Sequence, residues 1–122
     1  IESKSGKKFI CQRYIPNSCD YRVVVVNYET IQIVKRSRTI LADHRNNIVL
    51  GATSEFIKPK DFEFCDCANK LAKYLKLGIC GVDIIVDTKT NTPYIIEINS
   101  SPGLDINEPE LLMKYVIDKI II

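Results

Sequence analysis

A chain of 122 residues has room for one domain with a single hydrophobic core and is too short for two. Hydrophobic residues make up 46% of the sequence and charged residues 26%, which excludes a disordered or fibrous protein. The formal net charge of +2 gives no electrostatic basis for binding nucleic acid. No stretch approaches the roughly 20 apolar residues that cross a bilayer, so we expect a soluble chain without a membrane partner.

The cysteines are odd in number and match neither a zinc ribbon nor a Cys-x-x-Cys redox pair. They are Cys11, Cys19, Cys65, Cys67 and Cys80. This usage favours a reduced, cytoplasmic protein. Cys65 and Cys67 are interpreted as ordinary helix residues, with metal binding as the weaker alternative. Residues 1–8 contain no initiator methionine and lead directly into a strand, so we expect a piece of a longer protein.

The first half of the chain predicts β-structure. Residues 8–15 form a β-prone run that ends at a Pro-Asn-Ser turn, and 21–26 and 31–35 read as two further strands. A four-residue connection at 27–30 makes these an antiparallel meander. Residues 37–58 lose both hydrophobic periodicities and are predicted to form a long irregular segment.

The second half predicts two helices and a hairpin. An amphipathic helix is expected over residues 60–77, closed by Gly78. Its apolar positions are Phe64, Ala68, Leu71, Ala72 and Leu75. Strands at 81–87 and 93–99 follow, and a final helix over 107–121 is capped by Asn107 with Glu110. The predicted fold is α+β, an antiparallel sheet with both helices on one face.

Acidic and amide side chains define the other face of the predicted hairpin. Glu97 and Asn99 point the same way because strand side chains alternate, and a turn near Thr90 places Asp83 opposite Glu97. Val82, Ile84, Val86, Tyr94, Ile96 and Ile98 supply the apolar face. Facing carboxylates repel each other, so a cation is expected between them. Oxygen ligands suit Mg²⁺ or Mn²⁺; the alternative is a solvated sheet face with exposed acids.

The run Tyr-Ile-Ile-Glu-Ile-Asn-Ser-Ser-Pro-Gly at 94–103 resembles the Glu-x-Asn-x-x-Pro-Gly segment of ATP-grasp ligases, and Gly-Val-Asp at 81–83 resembles their aspartate strand. The closest resemblance, over residues 11–104, is to the RimK-like group. It implies that residues 1–122 are the C-terminal lobe of an ATP-grasp ligase. It also implies that Asp83, Glu97 and Asn99 hold two Mg²⁺ ions that bridge ATP phosphates.

Two further segments resemble nucleotide-binding parts of the family. Gln12, Arg13, Tyr14 and Ile15 resemble the hinge strand whose backbone meets adenine, the alternative being a plain edge strand. Asp20 and Arg22 resemble the family's Asp-x-Arg strand. That resemblance puts Asp20 near the ribose or the substrate; the alternative is an exposed ion pair of small energetic value.

Basic and amide residues complete the resemblance. Lys35-Arg36 resembles the family's basic pair, and Arg45-Asn46-Asn47 resembles its Arg-x-Asn phosphate loop. The implied catalytic residues are Arg36, Arg45 and Asn47, which would stabilise the oxyanion or departing phosphate. The chain departs from the family where Leu50 precedes Gly51-Ala52, a position that is often arginine. His44 is interpreted as a loop residue without a catalytic role.

The resemblance implies a carboxylate–amine ligase with ATP as cosubstrate and an acyl-phosphate intermediate. Its expected partners are a carboxylate substrate and an amine acceptor, either an amino acid, a peptide or a protein tail; a homo-oligomer is left open. Two alternatives remain: an ATP-grasp kinase of an alcohol such as an inositol phosphate, and a non-catalytic nucleotide-binding module. The lobe that would complete the nucleotide clamp is not recognisable here, so this segment alone is expected to be nearly inactive.

Overall fold

A computed structural model describes residues 6–37 and 53–102, together with Met113 and Ile117. Within these ranges the chain forms one antiparallel sheet in the order β3-β2-β1-β4-β5. The strands are β1 (Cys19–Val26), β2 (Glu29–Ser37), β3 (Thr53–Ile57), β4 (Ile79–Val86) and β5 (Pro93–Asn99). A 3₁₀ turn at Pro59–Asp61 and helix α1 (Cys65–Tyr74) connect β3 to β4. The predicted α+β class and four of the predicted strands are confirmed.

A tight hairpin joins β1 to β2. Its two turn residues, Asn27 and Tyr28, have positive φ angles of 48° and 68°. Positive φ at both central positions is what a type I′ turn requires, and this turn matches the right-handed twist of the strands. The predicted connection at 27–30 is therefore shorter than expected, because Glu29 and Thr30 already belong to β2.

Residues 53–57 correct the prediction of an irregular segment over 37–58. They form the edge strand β3, which pairs with β2 from Ile33↔Ile57 to Ser37↔Thr53. The strand is mostly exposed and carries no strict apolar alternation, which is why the hydrophobic pattern did not reveal it. Residues 38–52 lie outside the described ranges.

Helix α1 is shorter than predicted and ends before Gly78. The Leu77 amide donates to the Ala72 carbonyl at 2.9 Å and the Lys76 amide to the Lys73 carbonyl at 3.1 Å, which together form a Schellman motif. Lys76 supplies the left-handed residue, with φ of 55°. The expected closure by glycine was wrong because a lysine adopts this conformation two residues earlier.

The hydrophobic core lies between α1 and one face of the sheet. Ala68 and Ala72 are fully buried against Val23, Val82 and Ile84. Small helix residues allow the helix to approach the sheet closely, so most of the larger core side chains come from the strands, with Phe62 added from the turn before α1. Leu75, predicted on the apolar face of the helix, is 43% exposed.

The β4–β5 hairpin contains a bulge that sets its register. Val86 pairs with Pro93 and Ile84 with Ile95, but the next pair is Asp83 with Glu97, so Ile96 is the extra residue. Ile96 is consequently 51% exposed. The prediction that it shares an apolar face with Ile98 was wrong for this reason.

The predicted strand over residues 8–15 is not found. Apart from an isolated bridge at Lys8, residues 7–17 have no regular secondary structure, and Phe9, Ile10 and Tyr14 are exposed. A strand needs a hydrogen-bonding neighbour, and none of the five described strands pairs with this segment. The segment is attached at Pro16, whose carbonyl accepts a hydrogen bond from the Thr88 amide at 3.0 Å.

The predicted helix over 107–121, with its Asn107 and Glu110 cap, lies outside the described residues except for the exposed Met113 and Ile117. Among the helices described, none has the length and apolar composition of a membrane span.

Candidate functional site

The sheet face opposite α1 carries a row of charged residues across three neighbouring strands. Arg22 on β1 pairs with Asp83 on β4, and Asp83 pairs with Glu97 on β5. Adjacent rows contain the pair Asp20 and Arg36, and the pair Gly81 and Asn99. The predicted placement of Asp83, Glu97 and Asn99 on one face is therefore confirmed. We call these residues the polar face.

Asp83 is buried and bound by a guanidinium group from the neighbouring strand. Arg22 donates from Nε to Oδ1 at 2.8 Å and from Nη2 to Oδ2 at 2.7 Å. This bidentate geometry is the strongest common form of a charged hydrogen bond between side chains. The Asp83 side chain is only 7% exposed, so the charge is compensated largely away from water.

A second bidentate pair lies beside the first. Arg36 donates from Nε and Nη2 to the two carboxylate oxygens of Asp20, at 2.9 and 2.8 Å. Its Nη2 also lies 3.4 Å from Oδ2 of Asp83, which links the two pairs. The bidentate partner of Asp20 is therefore Arg36 and that of Arg22 is Asp83, and Asp20 is buried rather than an exposed acid.

The arginines determine the protonation state of Asp83. Burial acts to raise its pKa, but the hydrogen bonds and positive charge of Arg22, followed by those of Arg36, outweigh burial and hold the pKa below its ordinary value. Asp83 is consequently an anion at neutral pH. Because Arg22 already compensates the charge of Asp83 from the neighbouring strand, repulsion between Asp83 and Glu97 does not by itself require a cation between them, and that cation stays a prediction.

Glu97 and Asn99 lie at the sheet edge formed by β5. Glu97 is exposed and Asn99 is half-buried, and the Asn99 side-chain oxygen accepts a hydrogen bond from the Ser101 amide at 2.9 Å. The chain then returns over the polar face. A Cβ built on Gly81 would lie 3.0 Å from Cβ of Pro102, so any larger residue would push the returning chain away by a few tenths of an ångström.

The donor chemistry of the polar face fits a hard cation. Asp83, Glu97 and Asn99 offer only oxygen as their acceptor atoms, which suits Mg²⁺. Three carboxylates, those of Asp20, Asp83 and Glu97, face the two guanidinium groups of Arg22 and Arg36, which leaves a net charge of −1. No group of three or more His, Cys, Asp or Glu side chains positioned to bind metal occurs in the described part of the chain.

Cys65 and Cys67 behave as structural residues. Their thiols donate to the backbone carbonyls of Pro59 and Phe64, at 3.4 and 2.9 Å. Burial raises the pKa of both thiols, which disfavours the thiolate that a metal would require. All five cysteines are free.

The remaining predicted site residues fall into two groups. Gln12, Arg13 and Tyr14 are exposed and Ile15 is half-buried, in the segment without regular structure that precedes β1. Arg45, Asn46 and Asn47 lie outside the described residues, as do His44 and the Leu50-Gly51-Ala52 departure. Their proposed contacts with nucleotide remain predictions.

Sequence reasoning missed Arg22 as the partner of Asp83. The available signal was the Asp-x-Arg spacing on β1, which puts both side chains on one face. What the sequence did not provide was the pairing of β1 with β4, because these strands are more than 50 residues apart and joined through β2, β3 and α1.

Comparison with known proteins identifies a family with this architecture. Residues 1–121 match the family described as RimK-like ATP-grasp domain. The chain belongs to this family. A probable alpha-L-glutamate ligase of Vibrio atlanticus (strain LGP32) is 35% identical over 109 residues, covering 86% of this chain and 35% of that protein. One from Marinomonas sp. (strain MWYL1) is 36% identical with the same coverage. The chain thus spans about a third of the length of these relatives.

Solved structures share the fold at lower sequence identity. The ATP-grasp ligase PsnB, complexed with minimal precursor, Mg and ADP, gives a TM-score of 0.61 at 22% identity over 85% of this chain and 34% of its own. The macrocyclase MdnC, bound with precursor peptide MdnA from Microcystis aeruginosa MRC, gives 0.58 at 19% identity over 87% and 33%. The α+β ATP-grasp fold is therefore established for this chain.

Proposed function

We propose that this chain is the C-terminal lobe of an ATP-dependent carboxylate–amine ligase, with the polar face as its phosphate-handling surface. The observation that carries the proposal is the pairing of Asp83 with Glu97 on one sheet face, with Asn99 two residues further along β5. Family membership and the names of the relatives support the reaction class. The five free thiols support a reducing cytoplasmic location.

Asp83, Glu97 and Asn99 would hold Mg²⁺. Bound there with nucleotide, the ion would neutralise charge on the ATP phosphates during phosphoryl transfer. The net negative charge of the polar face supports this assignment. Within the described residues, Arg22 and Arg36 make their bidentate hydrogen bonds to Asp83 and Asp20 and not to Glu97. This set of oxygen donors is compatible with one ion or with two. It is also compatible with Mn²⁺ in place of Mg²⁺.

Arg36 is the catalytic cation we propose from the described residues. Its side chain is 33% exposed, so it reaches solvent while Asp20 fixes its orientation through two hydrogen bonds. A guanidinium group that is already oriented before the reaction can stabilise developing negative charge without a change in its own position. Asp20 then acts through Arg36, and its proposed role near ribose or substrate is compatible with this contact. Arg45 and Asn47 would act with Arg36 on the same oxygen atoms.

Nucleotide would approach the polar face from the end of the sheet where β1 begins. Residues 12–15 lead into β1 and are attached there through Pro16. Under the proposal, the backbone of Gln12, Arg13, Tyr14 and Ile15 meets the adenine edge, with Asn46 and the neighbouring Arg45 and Asn47 near the phosphates. The Ile15 carbonyl accepts a hydrogen bond from Asn17 Nδ2 at 2.8 Å, so the proposed backbone contacts with adenine fall to the other groups of this segment.

The chemical steps balance without a side-chain nucleophile. A carboxylate oxygen attacks the γ-phosphorus of ATP, the bond to the β–γ bridging oxygen breaks, and ADP leaves. An amine then attacks the acyl carbon, phosphate departs, and the amine loses a proton as the amide forms. Catalysis of this kind depends on positioning and charge. The substrate class we propose is an amino acid such as glutamate joined to a peptide or protein carboxylate.

Trapping of the acyl phosphate tests this function. The complete natural protein that contains this sequence is incubated with ATP, Mg²⁺, a candidate carboxylate and hydroxylamine in place of the amine. We expect hydroxamate to form in proportion to ADP, and Glu97→Gln to abolish it. The matched control is Glu55→Gln, an exposed strand glutamate on the α1 side of the sheet. In a parallel incubation with a candidate alcohol, a stable phosphate ester formed with ADP, in the absence of hydroxamate from the carboxylate, would favour a kinase. Nucleotide binding without ADP formation would favour a non-catalytic module.

A further inference from the structure

The two hydrogen bonds between Arg22 and Asp83 occupy one particular side of the carboxylate. Nε meets Oδ1 and Nη2 meets Oδ2, at 2.8 and 2.7 Å, so the guanidinium faces both oxygens at once. A metal ion that was chelated by both oxygens of Asp83 would need this same position. While Arg22 remains, a cation can reach Asp83 only through one oxygen.

The surroundings hold Arg22 in this position. Arg22 and Asp83 are directly opposite each other on hydrogen-bonded strands, so the sheet register fixes the separation of their backbones. The Arg22 stem passes close to Gly81, with Cδ 3.9 Å from the site of an added Cβ, beneath the return at Pro102. Arg36 adds a second guanidinium 3.4 Å from Oδ2, which leaves Oδ1 as the less crowded oxygen.

Divalent cations differ in how they use carboxylates. Mg²⁺ takes an octahedral shell at about 2.0–2.1 Å and binds single carboxylate oxygens, whereas Ca²⁺ takes six to eight oxygens and readily accepts bidentate carboxylates. A carboxylate whose chelating side is occupied therefore favours Mg²⁺ over Ca²⁺.

We propose that Arg22 is a positioning residue that closes the chelating side of Asp83 and thereby makes the polar face selective for Mg²⁺ over Ca²⁺. The inference rests on the proposed metal-binding function of Asp83, Glu97 and Asn99. Arg22 does not contact substrate in this role; it acts through Asp83.

Cation-dependent thermal stabilisation tests the selectivity. The complete protein is melted with ADP and increasing Mg²⁺, and separately with ADP and increasing Ca²⁺, to obtain an apparent affinity for each ion. We expect Mg²⁺ to be preferred in the parent and the preference to fall at least about tenfold in Arg22→Lys, which keeps the charge but cannot face both oxygens. Lys70→Met is the control, because it removes a cation from an exposed ion pair on α1; its preference should equal that of the parent.

The outcomes separate this inference from the proposed function. If neither ion stabilises the parent with ADP, the metal-binding proposal is wrong and the inference is lost with it. If both ions stabilise the parent and Arg22→Lys with the same preference, only the role of Arg22 is overturned.

A second measurement does not depend on a variant that must fold. In a crystal structure of the parent protein with Mg²⁺ and ADP, we expect Arg22 to retain both hydrogen bonds to Asp83 and a single Asp83 oxygen to contact the ion. An ion chelated by both oxygens, or an Arg22 displaced from Asp83, would overturn the inference.

Discussion

At the scale of single residues, the polar face depends on a buried carboxylate whose charge is needed by two arginines. Removing that charge leaves Arg22 without its bidentate partner and takes away the second anion beside Arg36, which keeps its two hydrogen bonds to Asp20. Breaking a buried ion pair costs more than breaking a surface pair, but both arginines are partly exposed, which reduces the cost. Asp83 therefore contributes to the fold as well as to the proposed site.

We expect Asp83→Asn to lose about 1–3 kcal/mol of stability at pH 7, measured by urea denaturation without metal. Because the folded pKa is lowered, the contribution is complete above the unfolded value of about 3.9 and disappears as pH falls through the folded pKa. The difference in unfolding free energy between the parent and Asp83→Asn should become smaller below about pH 4. Asp66→Asn, which removes an exposed ion pair, should cost less than about 1 kcal/mol. If the parent and Asp83→Asn have the same unfolding free energy at pH 7, or if their difference stays constant as the pH falls below about 4, this account is contradicted.

Gly81 is the residue that admits the chain return after Asn99. In Gly81→Ala the new methyl would meet Pro102 at 3.0 Å, so the return or the strand must shift. We expect a loss of about 1–3 kcal/mol, with a changed environment for the Asn99 side-chain amide in NMR spectra. Gly78→Ala is the matched control, since nothing lies within 4 Å of its added Cβ and its φ is not positive. Equal stability of the two variants would show that the close approach is unimportant.

At the scale of elements, the bulge at Ile96 decides whether the polar face exists. Next to the turn, Val86 pairs with Pro93, and this register continued without a bulge would place Asp83 opposite Ile96. Because Ile96 is the extra residue of the bulge, Glu97 lies opposite Asp83 instead. Sequence analysis predicted the correct pair, Asp83 with Glu97, from a turn near Thr90 and a hairpin without a bulge. Alternation identified the polar residues because strands impose a period of two. It could not reveal the bulge, because Ile95 and Ile96 are both β-branched and equally suited to a strand.

The end of α1 gives the clearest element-scale prediction. Lys76 adopts a left-handed conformation that favours glycine, and its position also places a cation near the helix C-terminus. Lys76→Gly and Lys76→Ala both remove the charge, so their difference isolates the backbone. We expect the glycine variant to be about 1 kcal/mol more stable than the alanine variant, measured as the difference in urea-unfolding free energy. An alanine variant of equal or higher stability would contradict the Schellman assignment.

At the scale of the whole molecule, the sheet separates two tasks. One face buries Val23, Val82 and Ile84 under α1, and the other presents charges of both signs from β2, β1, β4 and β5. The family and the α+β fold were predictable, because the Glu-x-Asn-x-x-Pro-Gly motif and its aspartate strand are local patterns. The charge pairing was not, because it depends on which distant strands become neighbours.

This separation means that ligand binding and folding can be altered independently at Glu97. Glu97 is exposed, and Asp83 beside it is already paired with Arg22, so Glu97→Gln removes charge from the polar face without leaving a buried group unpaired. We expect the ligand-free variant to be as stable as the parent. In the parent, Mg²⁺ with a non-hydrolysable ATP analogue should add about 2.7 kcal/mol at a hundredfold excess over Kd, provided that the unfolded chain does not bind.

In Glu97→Gln this added stability should largely vanish, because the amide lacks the negative charge that a hard cation prefers. Thermal melts of both proteins, with and without Mg²⁺ and the analogue, give the four values needed. Glu55→Gln carries the same charge change on the α1 side of the sheet and should gain as much from ligand as the parent. If Glu97→Gln gains as much as Glu55→Gln, Glu97 is not a metal ligand. If it is instead unstable without ligand, the role of Glu97 is structural, and the pairing of Asp83 with Glu97 no longer supports the proposed reaction.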